Sequence, residues 1–240
     1  DEIFNNPDID IVYIATPHNT HAHYALRSAR AKKPVYVEKP MARTYEECRK
    51  MIAACEEAGV PLYVAYYRRY MPTFLKVKEL VESGAVGDVR AIQITVLCPP
   101  REVDYDKENP PWRVLPEING IGGYFLDMGA HQFDLMDFIF GPIDTACGFR
   151  KNLWNYYPAD DTYGASWQFK SGVIGSGIWG FSVSPHTAAD RTEIVGSKGT
   201  ITFTTFTQAP VVVHTETGVE KVEIGWPEHV QQPIIETVIE

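Results

Sequence analysis

The sequence predicts a parallel α/β unit followed by an α+β domain with a large open, mostly antiparallel sheet. Three observations carry this prediction. Over residues 1–86, short apolar runs alternate with helix-length patterns, the rhythm of βαβ units around a parallel sheet. Over residues 87–240, strand-like stretches dominate around one good internal helix at roughly 122–140, and hairpin-sized gaps such as Lys170 to Gly172 and Ser197 to Gly199 join several of them. With 45% apolar residues in a chain of 240, there is enough material for a sizeable core.

The elements follow in order. IVYIA at 11–15 is a continuous apolar run, the mark of a parallel strand buried on both faces. Asn19 or Thr20 can cap the next helix, in which Ala22, Ala25, Leu26 and Ala29 recur at helical spacing. PVYV at 34–37 is a second buried strand. Thr44 with Glu47 makes a capping-box pattern, and Cys48, Met51, Ile52 and Cys55 mark one helix face until Gly59 stops it. PLYVAY at 61–66 is a third strand, and Phe74, Val77 and Val81 mark a helix closed by Gly84. VRAIQITVL at 89–97 opens the second domain. Further strands are expected near 143–151, 162–169, 173–181, 190–196, 200–205, 210–215 and 219–224. One internal helix cannot cover both faces of such a sheet, so a partner subunit against the open face is the economical expectation.

Composition excludes several classes. The chain has 22 basic and 31 acidic residues, a net charge of -9 and no Lys/Arg-rich block, which disfavours nucleic acid and anionic membranes as partners. Four cysteines without a CxxC pair suggest buried thiols in a reducing compartment, so a cytoplasmic location is expected. No apolar run has the length of a membrane span. Both ends read as cut: the chain opens directly into DEIFNNPDIDIVYIATP and closes in the uncapped amphipathic run VQQPIIETVIE, as a piece of a longer protein would.

Three stretches can carry chemistry. In VYVEKP, Glu38 and Lys39 stand at a strand's carboxyl end, where open parallel sheets gather ligands, and Pro40 biases Lys39 away from the helical region. A solvated ion pair would explain the same letters. In GIGGYFLDMGAHQFDLMDFIFG, Asp127, His131 and Asp134 stack on one helix side, so a carboxylate one turn before a histidine can orient the ring for acid/base work on a hydroxyl, or simply stabilise the helix. Gly122, Gly123 and Gly129 suggest that something approaches this helix closely. ATPHNTHAHY is a strand end, turn and helix start where backbone N–H groups can face an anion or ribose; its histidines lack a zinc spacing, and no metal site is expected. Arg68 or Arg69 can meet a phosphate or stay solvated. Trp112, in the loop PWR, can close over a planar ligand or fill space.

With ATPHNTHAHYAL, EKP, YYRRYMP and GGYFLDMGAHQFDL in this order, the chain resembles the glucose-fructose oxidoreductase, inositol dehydrogenase and MocA family over almost its whole length. The resemblance implies a Rossmann-type dinucleotide-binding domain, then an open sheet packed on another subunit as a homodimer or homotetramer. It also implies hydride transfer between NAD or NADP and a sugar, cyclitol or related alcohol or carbonyl. Carried over by motif, Lys39 is the catalytic lysine with Asp127 and His131 as partners, and Glu38 lies beside the nicotinamide and its ribose. Thr16, Pro17, Asn19 and His21 line the cofactor, while Arg68, Trp112 and Arg113 approach it. The departure is the glycine-rich turn: no GxGxxG occurs, so the dinucleotide-binding domain is expected to be incomplete, as are the last strand and terminal helix. The expected mechanism places a substrate hydroxyl between Lys39 and His131, with Asp127 orienting His131 or the substrate. A non-catalytic binding or scaffold protein, or a metal-dependent sugar hydrolase or isomerase, stands as the alternative.

Overall fold

The computed structural model describes residues 2–239. A short helix α1 (Glu2–Asn5) precedes three parallel strands, β1 (Val12–Ile14), β2 (Val35–Val37) and β3 (Leu62–Val64), which pair in that order. Helices α2 (His21–Arg30) and α3 (Tyr45–Ala58) are the crossovers. Val12, Ile14, Val35 and Val37 pack with Ala25, Ala29, Met51 and Cys55 into one core, and α2 and α3 touch each other. Both crossovers therefore cover the same sheet face. This corrects the two-faced burial expected for IVYIA: Tyr13, on the other face, is 51% exposed and packs against the Tyr36 ring at a tilt, 5.1 Å between centroids. Only β2 is buried at every position.

The caps differ in kind. Thr44 accepts from the Glu47 amide at 3.2 Å, one half of the expected capping box, while the Glu47 carboxylate takes the Arg43 amide at 3.0 Å in place of the Thr44 amide; Gly59 ends α3 at a φ of 68°. Thr20 does not cap α2 with its side chain; its hydroxyl donates to the Pro17 carbonyl and pairs with the Thr16 hydroxyl, and a tight turn over His18–Thr20 leads into the helix.

Helix α4 (Pro72–Glu82) buries Phe74 and Val77 in the core of the second sheet, although it precedes residue 87. That sheet has eight strands: β4 (Val89–Leu97), β5 (Ile143–Lys151), β6 (Thr162–Phe169), β7 (Ile174–Gly180), β8 (Ala189–Gly196), β9 (Gly199–Phe203), β10 (Val211–Thr215) and β11 (Gly218–Val222). Their order is β11-β10-β9-β8-β4-β7-β6-β5, and β4–β7 is its parallel pair. A short helix α5 (Pro116–Asn119) leads to the long α6 (Gly123–Phe140), and α7 (Gln232–Ile239) closes the described chain.

Helices α4 and α6 lie over one sheet face, where Ile92, Ile94, Val96, Trp167 and Trp179 meet Leu135 and Met136. Glycines in β7 make room for the indoles: a Cβ at Gly175 would lie 2.2 Å from the Trp167 ring and one at Gly177 would lie 2.4 Å from Trp179. On the opposite face, register aligns Ile178, Gly164 and Phe149 in one row, and Phe149 is 91% exposed. No helix among the described residues is long and apolar enough to cross a membrane.

Candidate functional site

Two short loops and one helix build the site. Lys39 follows β2, its peptide to Pro40 is cis, and its side chain reaches across to α6. Lys39 Nζ donates to Asp127 Oδ1 at 2.6 Å and to the Asp127 carbonyl at 3.0 Å. Arg113 Nε donates to the other carboxylate oxygen at 3.3 Å. Burial alone would raise the Asp127 pKa; the Lys39 and Arg113 charges outweigh it and hold the carboxyl below its ordinary value. Asp127 is therefore an ionised anchor for two cations.

Asp127 does not orient His131, despite the i,i+4 spacing, because both of its oxygens face cations outside the helix. The His131 ring is 3% exposed, lies 5.0 Å from Tyr67 between centroids, and has no partner for its buried Nδ1 among the described residues. Burial first, then the Lys39 and Arg68 charges, push its pKa well below 6.5. At neutral pH it is an uncharged imidazole. Asp134 accepts from Arg69 at 2.7 Å, yet burial outweighs that cation and raises its carboxyl to about 6.

Two residues expected at the cofactor are used elsewhere. The Arg68 guanidinium is enclosed by the Tyr67, Phe74, Phe206 and Trp226 rings and donates to the Thr205 carbonyl; it is buried and cannot meet a phosphate from there. His21 is fully buried, with Nδ1 3.1 Å from the Pro40 carbonyl and Nε2 2.8 Å from the Thr16 carbonyl. It ties the ends of β1 and β2 together and leaves no ring nitrogen for a ligand.

The remaining positions converge. Pro17 and Asn19 are exposed beyond β1, and Thr16 is half-buried. A cleft of about 700 Å³ runs along β1 past Tyr13, Ile14 and Thr16. Glu38 accepts from the Tyr13 hydroxyl at 2.6 Å and from Gln231 at 2.7 Å. Burial first, then the Glu38 charge, push the Tyr36 hydroxyl up to about 12. The Trp112 ring meets His18 edge-on at 5.0 Å, which joins the loop at 111–114 to the turn after β1.

Asn119, which sequence reasoning passed over, locks this junction. Its amide nitrogen donates to the Arg113 carbonyl at 2.5 Å and to the Gly123 carbonyl at 2.7 Å. Its oxygen therefore faces His18, whose Nδ1 must donate to it. Burial, then the neighbouring His21, lower the His18 pKa to about 4. The close approach expected at the α6 glycines is also internal: a Cβ at Gly123 would lie 2.7 Å from Ala159.

A second cleft, of about 430 Å³, opens beside the ion pair. Asp127 and Arg113 form one wall, and Arg101, Asp104, Tyr124 and Phe181 form much of the rest. Arg101 and Asp104 sit in PPREVDYD, a stretch whose charges look solvated until α6 folds against it. These residues fit a nicotinamide dinucleotide beside a small substrate. Exposed turn residues lie beyond the carboxyl ends of the parallel strands, where such ligands bind, and Lys39 reaches from one of those ends to Asp127 in the wall of the second cleft. No group of three or more His, Cys, Asp or Glu among the described residues is placed to hold a metal ion.

Comparison with known proteins agrees with this architecture. The family profile "Oxidoreductase family, NAD-binding Rossmann fold" matches residues 1–66, and "GFO/IDH/MocA C-terminal domain" matches 74–202. The chain belongs to the GFO/IDH/MocA oxidoreductase family. It is 37% identical over 238 residues to Oxidoreductase P35 of Formosa agariphila, covering 99% of this chain and 72% of that protein. It is 29% identical over 235 residues to myo-inositol 2-dehydrogenase of Thermotoga maritima, covering 90% of this chain and 63% of the relative. Among solved structures, levoglucosan dehydrogenase in complex with NADH and levoglucosan superposes with a TM-score of 0.82 at 26% identity, over 97% of this chain and 65% of that one.

Proposed function

We propose that the protein is an NAD(P)-dependent dehydrogenase or reductase acting on a sugar, cyclitol or related alcohol or carbonyl. The observation that carries this is the Lys39–Asp127 pair, which joins the strand-end loop of the parallel sheet to the helix lining the second cleft. The names of the inositol and levoglucosan dehydrogenases, and the NADH in the solved relative, support the substrate and cofactor classes. Thr16, Pro17, Asn19, Glu38 and Trp112 would hold the nicotinamide dinucleotide, which when bound accepts or supplies the hydride.

The chain's own residues handle the proton. Neutral His131 accepts it from the substrate hydroxyl, and Lys39, fixed by Asp127, donates a hydrogen bond to the same oxygen as its charge develops. Arg113 holds the second Asp127 oxygen, so the carboxylate cannot turn away from Lys39. In this reading residues 1–86 supply most cofactor contacts and residues 87–240 the substrate cleft, with Lys39 and Trp112 each reaching across the division and α4 packed on the second sheet. We place the protein in the cytoplasm on its four free cysteines, and as a homodimer or homotetramer through the open sheet face on its exposed Phe149, Ile174 and Ile178.

The test is turnover by the full-length protein over a panel of sugars and cyclitols with NAD and NADP. Lys39→Ala and His131→Ala should each lower kcat by about 10²–10⁴-fold, while NADH affinity, followed by its fluorescence, stays within about threefold. Wild-type turnover in the double variant would place the chemistry elsewhere.

A further inference from the structure

Arg101 and Arg113 face the same cleft of about 430 Å³ and are mounted alike. The Arg113 guanidinium lies over the Trp112 ring at 4.3 Å and is held through Nε by Asp127. The Arg101 guanidinium lies over the Tyr124 ring at 4.6 Å and is held through one terminal nitrogen by Asp104 at 3.3 Å. Asp104 is 2% exposed and also takes the Arg101 amide at 2.8 Å and the Tyr124 hydroxyl, which itself accepts from Arg101. A buried carboxylate with this many partners orients the arginine rather than answering it as a surface ion pair does. The side chains of Arg101 and Arg113 are 51% and 40% exposed. Each therefore keeps guanidinium donors for a ligand while one edge is fixed.

Donor chemistry points the same way. Asp104 and Asp127 each hold one edge of an arginine, which leaves the other guanidinium N–H groups of Arg101 and Arg113 for the cleft they line. One carboxylate or phosphate meets such a preset fork with paired, charge-assisted N–H···O bonds, whereas the hydroxyls of a neutral polyol meet it only with weaker, single ones. Resting on the oxidoreductase reading above, we propose that the substrate is an anionic polyol, a hydroxylated ring or chain carrying a carboxylate or phosphate, whose anionic group is bound by Arg101 with Arg113 beside it. Arg101 then selects the substrate while Lys39 and His131 act on its hydroxyl.

The experiment is calorimetric titration of the full-length protein, saturated with NADH, using D-glucose, D-glucuronate and D-glucose 6-phosphate, with turnover assayed in parallel. At least one anion should bind ten times or more tighter than glucose, and whichever anion binds tighter names the group. Arg101→Gln should bring the anion-to-glucose ratio to within about threefold of one. Arg101→Lys preserves a cation for Asp104 and guards against a folding defect; it should lose most of the ratio because it lacks the fork. Equal binding of all three sugars, or an unchanged ratio in both folded variants, overturns the proposal. Tight anion binding that depends on Arg101, without nicotinamide turnover of any substrate, upholds the anion site and removes the hydride-transfer reading instead.

Discussion

At the scale of single residues, burial sets the charge states that matter. His18 is driven down to about 4 and His131 well below 6.5. Between these values and about 6.5, the unfolded chain binds more protons than the fold, so stability is full above pH 6.5 and falls as the pH drops through that window. Asp134, raised to about 6, has the opposite sign: its burial costs nothing at pH 3.5 and most above pH 6. Asp134→Asn keeps an oxygen for Arg69 and removes that cost. Its melting temperature should match wild type near pH 3.5 and exceed it by about 3–6 °C at pH 7, read from thermal unfolding across pH; a lower value at pH 7 would show that the Arg69 pair outweighs burial. Proton acceptance by His131 further requires that alcohol oxidation fall as the pH drops through its depressed pKa, visible in the kcat/KM profile.

At the scale of elements, the α6 face and the β6–β7 pair form an aromatic layer whose thickness glycine controls. Gly175→Val would drive a side chain into the Trp167 indole, 2.2 Å from the nearest atom. A loss of about 1–3 kcal/mol is expected from the shift in urea midpoint, and the Trp167→Leu background should recover part of it. Strands β5 and β6 span the stretches their sequence patterns mark, 143–151 and 162–169; the short turn after β6 is a local signal. Which face a helix covers is not local. The side-by-side packing of α2 and α3, the docking of α4 on the second sheet and the ring of Tyr67, Phe74, Phe206 and Trp226 around Arg68 each depend on residues far apart in the chain. The site divides the same way. Lys39 and Asp127 are readable as chemical residues, but their direct bond spans 88 positions. Arg101, Asp104 and Asn119 carry no motif, and only packing gives them partners.

At the scale of the whole molecule, the sheet that covers one face with α4 and α6 leaves the other with Phe149, Ile174 and Ile178 in water. If the proposed subunit contact uses this face, Phe149→Lys should shift the full-length protein toward a smaller species in light scattering while its far-UV circular dichroism stays native; an unchanged mass would overturn the proposed contact. The Lys39–Asp127 bond is the other feature that reaches across the molecule. The amine belongs to a loop of the parallel sheet and its carboxylate to a helix on the antiparallel one, so neither half carries a finished reagent. A chain whose first sheet has folded and whose second has not presents a lysine with no counter-ion and no imidazole beside it. On the proposed chemistry, turnover therefore depends on the two sheets being docked, because the docked pair brings the amine to its carboxylate.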